Sequence, residues 1–560
     1  GRLGSSVLMD RGRAMVGAPR GASGAGSVLV FENTEGEWEQ TGELMPRDGV
    51  RGSGFGLALE AGRDEIWVGA PNGGGGDGLV HRFTAGDGDG WSSAGSLSPD
   101  SANTGAWPFG FGSSITAADD VVVVGMPRRD FGEGRAAMLN RTIDGEWDEV
   151  ALVSGQIATA VTAIEEGADC EDGTVELFEC NNMEVVSFTP VSELGGSRGV
   201  WVNDVWGWSD PVTGRDFALV SRRDGAAFVD LSDPAAPRLI GSLPRTAGTR
   251  PTVWRDIKVY QDHAYIVSDG AGAHGMQVFD LTRLRSVADA PVTFTEDAHY
   301  DEIYSAHNVV ADTASGFLYV VGANGGGQTC GGGLHMVDVR EPKSPAFAGC
   351  YNDPTGPGAR GYTHDAQCVI YQGPDTRYTG RQVCVGANEV EINIADVTDK
   401  DQPVPIGRSG YPNSAYAHQG WLDESHRYFY MGDEGDEVSG LVDGTRTLVW
   451  DIAELDDPIL VREYIGPVEA TDHNLYIRGD RAYMSNYGSG LRVLDITDPE
   501  NPHEVAYFDS APLGNNEAGM SSSSSGAWSN YPFFESGLVV FTSVREGLFV
   551  VRVKPRSLIP

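Results

Sequence analysis

Four histidines recur along the second half of the chain, each followed by a polar residue: His307-Asn308, His364-Asp365, His418-Gln419 and His473-Asn474. Three further polar pairs fall at matching places in the same pattern, Asn203-Asp204, Arg255-Asp256 and Ser529-Asn530. Imidazole together with carboxylate is the donor set of a transition-metal centre. The same groups can hydrogen-bond a small polar ligand. The competing reading is architectural, because polar side chains near a channel often satisfy backbone groups and bound water. Recurrence at a fixed position sets these histidines apart from a lone one. No HExxH and no nucleophile motif accompanies them, so the residues point to binding before catalysis.

A second constellation is acidic. The stretch MGDEGDEVSGLVDGTRT carries Asp433, Glu434, Asp436, Glu437 and Asp443. Carboxylates this dense repel unless water or a cation separates them, which leaves calcium or a solvated acidic loop as the two readings. Trp201, Trp206, Trp208, Trp254 and Trp528 gather near the polar pairs, as core or as a stacking platform.

The elements that must position these residues are strands of a repeat. Seven related segments read AFVDLSDPAAP, QVFDLTRL, HMVDVREPKSP, NIADVTDKDQP, LVWDIAELDDP, RVLDITDPENP and VVRVKP. They align Asp230, Asp280, Asp338, Asp396, Asp451, Asp495 and finally Arg552, in steps of 44 to 58 residues. Several strands in a unit of this length mean propeller blades or a solenoid, since one unit cannot bury its own apolar face. Each polar pair opens a unit just before its first strand, and the Asp ends the third. A Pro-marked turn then leads to a fourth, outer strand. The last copy has no fourth strand after it, whereas MEVVSFTPVSEL (183–194) is a fourth strand with no third before it. Pairing the two would close a ring without a free sheet edge. The expectation is therefore all-β: a seven-bladed propeller over 183–560 whose seven polar pairs meet at one channel mouth.

Residues 165–555 are similar to the choice-of-anchor B family, built on LVIVD-type repeats, through NDVWGWSDPVTGRDFALV, WRDIKVYQDHAYIVSD, HGMQVFDLTRLR, AHNVVAD, CGGGLHMVDV, THDAQCVIY and GTRTLVWDI. The resemblance implies an exported bacterial surface protein whose anchoring tail varies, and it implies no settled activity.

Residues 1–155 carry a different repeat. Gly4, Gly56 and Gly112 are in register, as are Gly17, Gly69 and Gly125, and then Trp38, Trp91 and Trp147. With Phe55-Gly56, Phe111-Gly112 and Gly69-Ala70-Pro71, this resembles the FG-GAP repeat of integrin-α-type propellers. The calcium loops of that family are not matched, because MDRGRA, LEAGRDE and TAADD lack alternating oxygen ligands. About three blades are too few to close a propeller, so this partial array is expected to continue upstream. Residues 156–182 read as a linker with a Cys170/Cys180 loop.

Asp plus Glu is 80 against 40 Lys plus Arg, a formal charge of −40. That argues against nucleic acid, which needs a basic footprint. No apolar run is long enough for a transmembrane helix. The six cysteines allow 15 pairings. Sequence proximity makes Cys170/Cys180, Cys330/Cys350 and Cys368/Cys384 the simplest set, in an oxidising compartment; six free thiols are the alternative. The resulting expectation is an extracellular or cell-surface scaffold with protein or glycan partners, capable of self-assembly, with leader and anchor outside this chain. Calcium or a transition metal is the expected cofactor, with no organic cofactor. The alternative is a metal-dependent extracellular enzyme using the histidines.

Overall fold

The computed structural model describes residues 2–47, 49–86, 90–99, 109–154, 163–164, 167–170, 172–355, 361–512 and 525–555. The fold is all-β, made of many small antiparallel sheets. The chain divides into two compact units, Gly1–Ala158 with Ser197–Gly199, and Thr159–Gly196 with Val200–Pro560.

The first unit holds three four-stranded meanders among the described residues. They begin at Val7–Asp10, Ala58–Ala61 and Ser114–Ala118 and end at Glu37–Leu44, Trp91–Leu97 and Trp147–Val153. The repeated glycines have a packing reason. A Cβ on Gly17 would collide with the carbonyl oxygen of Gly56, and one on Gly69 with that of Gly112. Gly56 and Gly112 themselves sit at φ +88° and +90°, where a side chain is strained. Phe55 and Phe111, fully buried, fill the spaces between consecutive sheets.

The second unit repeats a four-stranded meander. The first sheet runs Val202–Ser209, Asp216–Arg222, Gly225–Asp230 and Arg238–Pro244. Later sheets open with Arg255–Tyr260, Asn308–Asp312, Asp365–Ile370, Ala417–Leu422, Thr471–Arg478 and Ala527–Tyr531. These first strands neighbour one another in chain order, and Ala527–Tyr531 returns to lie beside Val202–Ser209. The last sheet takes its fourth strand from the other end of the unit, for Gly547–Val553 pairs antiparallel with Met183–Pro190, from Met183 opposite Val553 to Pro190 opposite Gly547. Phe188 from one end stacks on Phe549 from the other at 4.4 Å, and Phe541 stacks on Phe549 at 4.9 Å. Apolar clusters fill the gaps between neighbouring sheets, as where Phe228 stacks on Phe279 at 4.5 Å. Burying each such ring contributes about 2–3 kcal/mol.

The repeated Asp is a turn residue. Its Oδ1 accepts the N–H two positions on in every copy that has it: Ser232 (2.8 Å), Thr282 (3.0 Å), Arg340 (3.0 Å), Thr398 (3.0 Å), Ala453 (2.9 Å) and Thr497 (2.9 Å). This is the Asx turn, which lets the chain leave the third strand without an orphaned amide.

The three sequence-neighbour cysteine pairs are at disulfide distance, with Cα separations of 5.9 Å (Cys170–Cys180), 5.3 Å (Cys330–Cys350) and 4.0 Å (Cys368–Cys384). Part of the segment read as a linker is sheet edge. Ala168–Asp169 pairs with Met183–Pro190, and Phe178–Asn181 pairs with His503–Phe508. Phe178 is fully buried among Phe188, Phe508 and Phe549. Among the described residues no helix is long and apolar enough to cross a membrane.

Candidate metal and ligand sites on the first strands

The polar pairs lie in the first strands or immediately before them, and in several sheets the ladder carries a β-bulge there. One extra residue enters between Val202 and Val205, between Ala417 and Gly420, and between Asp472 and Leu475. A bulge re-aims side chains out of strict alternation, which is why two adjacent polar residues can both find polar surroundings. In the last sheet the bulge falls between Ala527 and Ser529. That puts Trp528, not Ser529, in register with the histidines.

The four imidazoles form a continuous row. Ring centroids are 4.2 Å apart for His307–His364, 4.2 Å for His364–His418 and 4.4 Å for His418–His473. Three of the four Nδ1 atoms look to the next sheet or to a carboxylate, and that of His418 has no hydrogen-bond partner among the described residues. His364 Nδ1 donates to the carbonyl of His418 at 2.7 Å, and His473 Nδ1 to the carbonyl of Trp528 at 2.5 Å. His307 Nδ1 bonds Asp269 Oδ2 at 3.1 Å. An Nδ1–H donor fixes the tautomer in which Nε2 carries a lone pair. Burial pushes His364 and His418 well below the usual histidine range and His473 down to about 3, so all three are neutral at pH 7.

Glu434 faces this row. Its carboxylate lies 3.6 Å from Nε2 of His418 and 3.9 Å from Nε2 of His473, and the three ligand atoms stand within 4.8 Å of one another. Donors about 2.1 Å from a tetrahedral zinc are separated by about 3.4 Å, so these residues fit a transition-metal ion after small adjustment. Burial raises Glu434 to about 7. A cavity of about 10 Å³, the size of one water or ion, is lined by Asp204, Arg255, Asp256, His307, Asn308, His364, His418, His473, Asn474, Trp254 and Trp528.

The second members of the pairs mostly hold sheets together. Asp204 Oδ2 accepts Ile257 N–H (3.1 Å), Asp256 Oδ2 accepts Val309 N–H (2.7 Å) and Gln419 Oε1 accepts Leu475 N–H (2.8 Å). Each reaches from one first strand to the backbone of the next. Asn308 Nδ2 donates to the carbonyl of His364 at 3.4 Å, Asn203 Nδ2 to that of Val253, and Asn530 Nδ2 to Ser485 Oγ at 2.8 Å. Arg255 is buried and reaches Gln277 at 3.5 Å. Asp365 is half-buried and bonds only the N–H of Ala366, at 2.7 Å, among the described residues.

The acidic loop splits into three roles. Asp433 is saturated by Tyr411 Oη (2.7 Å) and the N–H groups of Ala415 (2.8 Å), Tyr416 (2.7 Å) and Gly435 (3.1 Å). Glu434 turns to the histidines. Asp436 and Glu437 meet Asp472, with ligand oxygens within 4.8 Å and all three residues buried. Fully buried Arg446 pairs with Asp436 at 2.6 Å and lies 3.6 Å from Asp433. Burial, reinforced by the neighbouring carboxylates, raises Asp436 to about 6 and lifts Glu437 and Asp472 far above the carboxylate range. Asp443 stays exposed on the loop. Reading His473 as the start of its pair overlooks Asp472; an acid directly before the repeated histidine was the available signal.

The LVIVD repeat matches residues 472–510, which include Asp472 and His473. No curated protein matches the chain. A solved structure described as a functionally unknown protein from Desulfotomaculum acetoxidans DSM 771 aligns with a TM-score of 0.40 at 10% identity, covering 60% of this chain and 94% of that one.

Proposed function

We propose that the second unit is a seven-bladed propeller of the choice-of-anchor B type, following FG-GAP-type blades, and that the protein is an exported surface or extracellular binding and assembly scaffold with protein or glycan partners. We further propose that it holds a transition-metal ion on His418, His473 and Glu434 at the channel mouth, and calcium on Asp436, Glu437 and Asp472 beside it. The LVIVD match, the cyclic neighbourhood of the first strands, the three cysteine pairs and the acidity support this reading.

One observation carries the metal reading: two buried, neutral imidazoles present Nε2 to a single half-buried carboxylate, at 3.6 and 3.9 Å. Neutral nitrogen donors with one anionic oxygen suit zinc and its neighbours. An all-carboxylate cluster suits a hard cation. The test is elemental mass spectrometry of untagged protein, as purified and after zinc or manganese loading and desalting. One equivalent of a transition metal, lost in a His418→Ala/His473→Ala variant that keeps its circular dichroism, is expected. Protein that retains no transition metal after loading overturns the assignment.

A further inference from the structure

We infer that a larger cavity, bounded further along the same first strands, binds a neutral saccharide of about disaccharide size. Its volume is about 530 Å³, within the usual range for small-molecule sites. It deepens the binding-scaffold reading and rests on it, but it is independent of the metal site.

One side of the cavity is aromatic. Trp206, Trp421, Tyr476 and Phe533 line it, held edge-to-face or tilted, with centroid separations of 5.6 Å for Trp206–Tyr476, 5.0 Å for Trp421–Tyr476 and 6.0 Å for Trp421–Phe533. The mutual packing fixes the rings, so a ligand need not order them. Trp206, Trp421 and Phe533 are only half-buried. Rigid aromatic surface left open to a cavity is what the apolar C–H face of a pyranose covers.

The other side is polar and incompletely satisfied. Asp365 uses one oxygen on the N–H of Ala366, and its second has no partner among the described residues. Gln367 Oε1 accepts Leu422 N–H at 2.6 Å, which leaves its amide NH₂ as a donor with no acceptor among the described residues. An acceptor and a donor opposite an aromatic wall suit vicinal hydroxyls, each of which both donates and accepts.

Charge argues against an ionic ligand. The cavity's ammonium, Lys258, donates to Asp256 Oδ1 at 2.5 Å and to Asp204 Oδ2 at 3.3 Å, and stands 4.7 Å over the Trp206 ring. One face of Trp206 and two carboxylates are thus already taken by an internal cation, which leaves Trp421 and Phe533 as the aromatic surface for a sugar ring to cover. An organic ammonium would compete with Lys258, and an anion would meet Asp365.

The experiment is titration of the intact protein with cellobiose, maltose, lactose and chitobiose, with choline and acetate as ionic controls. Tryptophan fluorescence and calorimetry are the readouts. Saturable binding of at least one disaccharide is expected, weakened about tenfold or more in Trp421→Ala and in Asp365→Asn, and retained in His418→Ala/His473→Ala. Should Trp421→Ala fail to fold, Gln367→Ala gives the same reading. Silence from all four sugars, choline binding in their place, or sugar affinity unchanged in both Asp365→Asn and Gln367→Ala overturns the inference. Sugar binding by wild-type protein that retains no transition metal after loading would overturn only the metal assignment.

Discussion

The carboxylate of Glu434 lies 3.6 Å from Nε2 of His418, although one belongs to an acidic loop and the other to the first strand of the same sheet. Between them they turn an architectural row of histidines into a donor set. Nδ1 of the neighbouring rings is committed to the next sheet's carbonyl, so Nε2 is what remains for chemistry.

Metal affinity should rise with pH across Glu434. Its folded value, about 7 because of burial, means the metal-free protein is largely protonated there at pH 6. Binding at pH 6 should release close to one proton, and at pH 8 close to none. The histidines are already neutral and contribute little release. Calorimetry in buffers of different ionisation enthalpy measures this directly; pH-independent affinity between 6 and 8 would contradict it.

Acid should destabilise the metal-free protein through the same row. His364, His418 and His473 have folded values depressed by burial. Their stabilisation is therefore complete above the unfolded value near 6.5 and is lost as pH falls. At pH 5 each costs about 2 kcal/mol relative to pH 7. Glu434 works the other way, favouring the fold as it becomes protonated. Urea midpoints between pH 7 and 5 should fall, and fall less in His364→Asn if that side chain keeps its bond to the His418 carbonyl.

Calcium should stabilise through Asp436, Glu437 and Asp472. Glu437 and Asp472 have raised folded values, so without a cation stability is present below the unfolded range and is lost as pH rises. Chelator should lower the melting temperature at pH 8 more than at pH 5. Glu437→Gln/Asp472→Asn should abolish the calcium response while leaving the metal-free protein no less stable at pH 8.

Phe549→Ala should cost about 3–5 kcal/mol, because the ring is fully buried and stacks on both Phe188 and Phe541. It joins strands from opposite ends of the second unit. Asp451→Ala should cost only about 1–2 kcal/mol, the turn hydrogen bond to Ala453 N–H together with the exposed ion pair to Arg427 at 2.7 Å, and leave metal content unchanged. Denaturant titrations of the two variants check the contrast.

Much of the site's supporting frame was legible in residue order. The Asp ending each third strand announced a turn, and the Asx geometry at Asp230 through Asp495 is local enough for sequence to specify. The pairing of Met183–Pro190 with Gly547–Val553 could also be read, as one strand missing at each end. Less legible was what each polar pair does. Asp204, Asp256 and Gln419 spend their oxygens on the next strand's N–H groups, which depends on inter-sheet spacing. Trp528, not Ser529, takes the histidine register, which only the strand pairing of the last sheet reveals.

The chain by itself determined a repeat of short strands, the residues that turn between them and the recurrence of histidine, because these depend on neighbours within a few positions. The tertiary structure alone decided that Glu434 meets His418 and His473, that Asp472 joins Asp436 and Glu437, and that aromatic rings from distant strands line one cavity together with Asp365. Those groupings come from sheets packing side by side, where distance in space no longer follows distance along the chain.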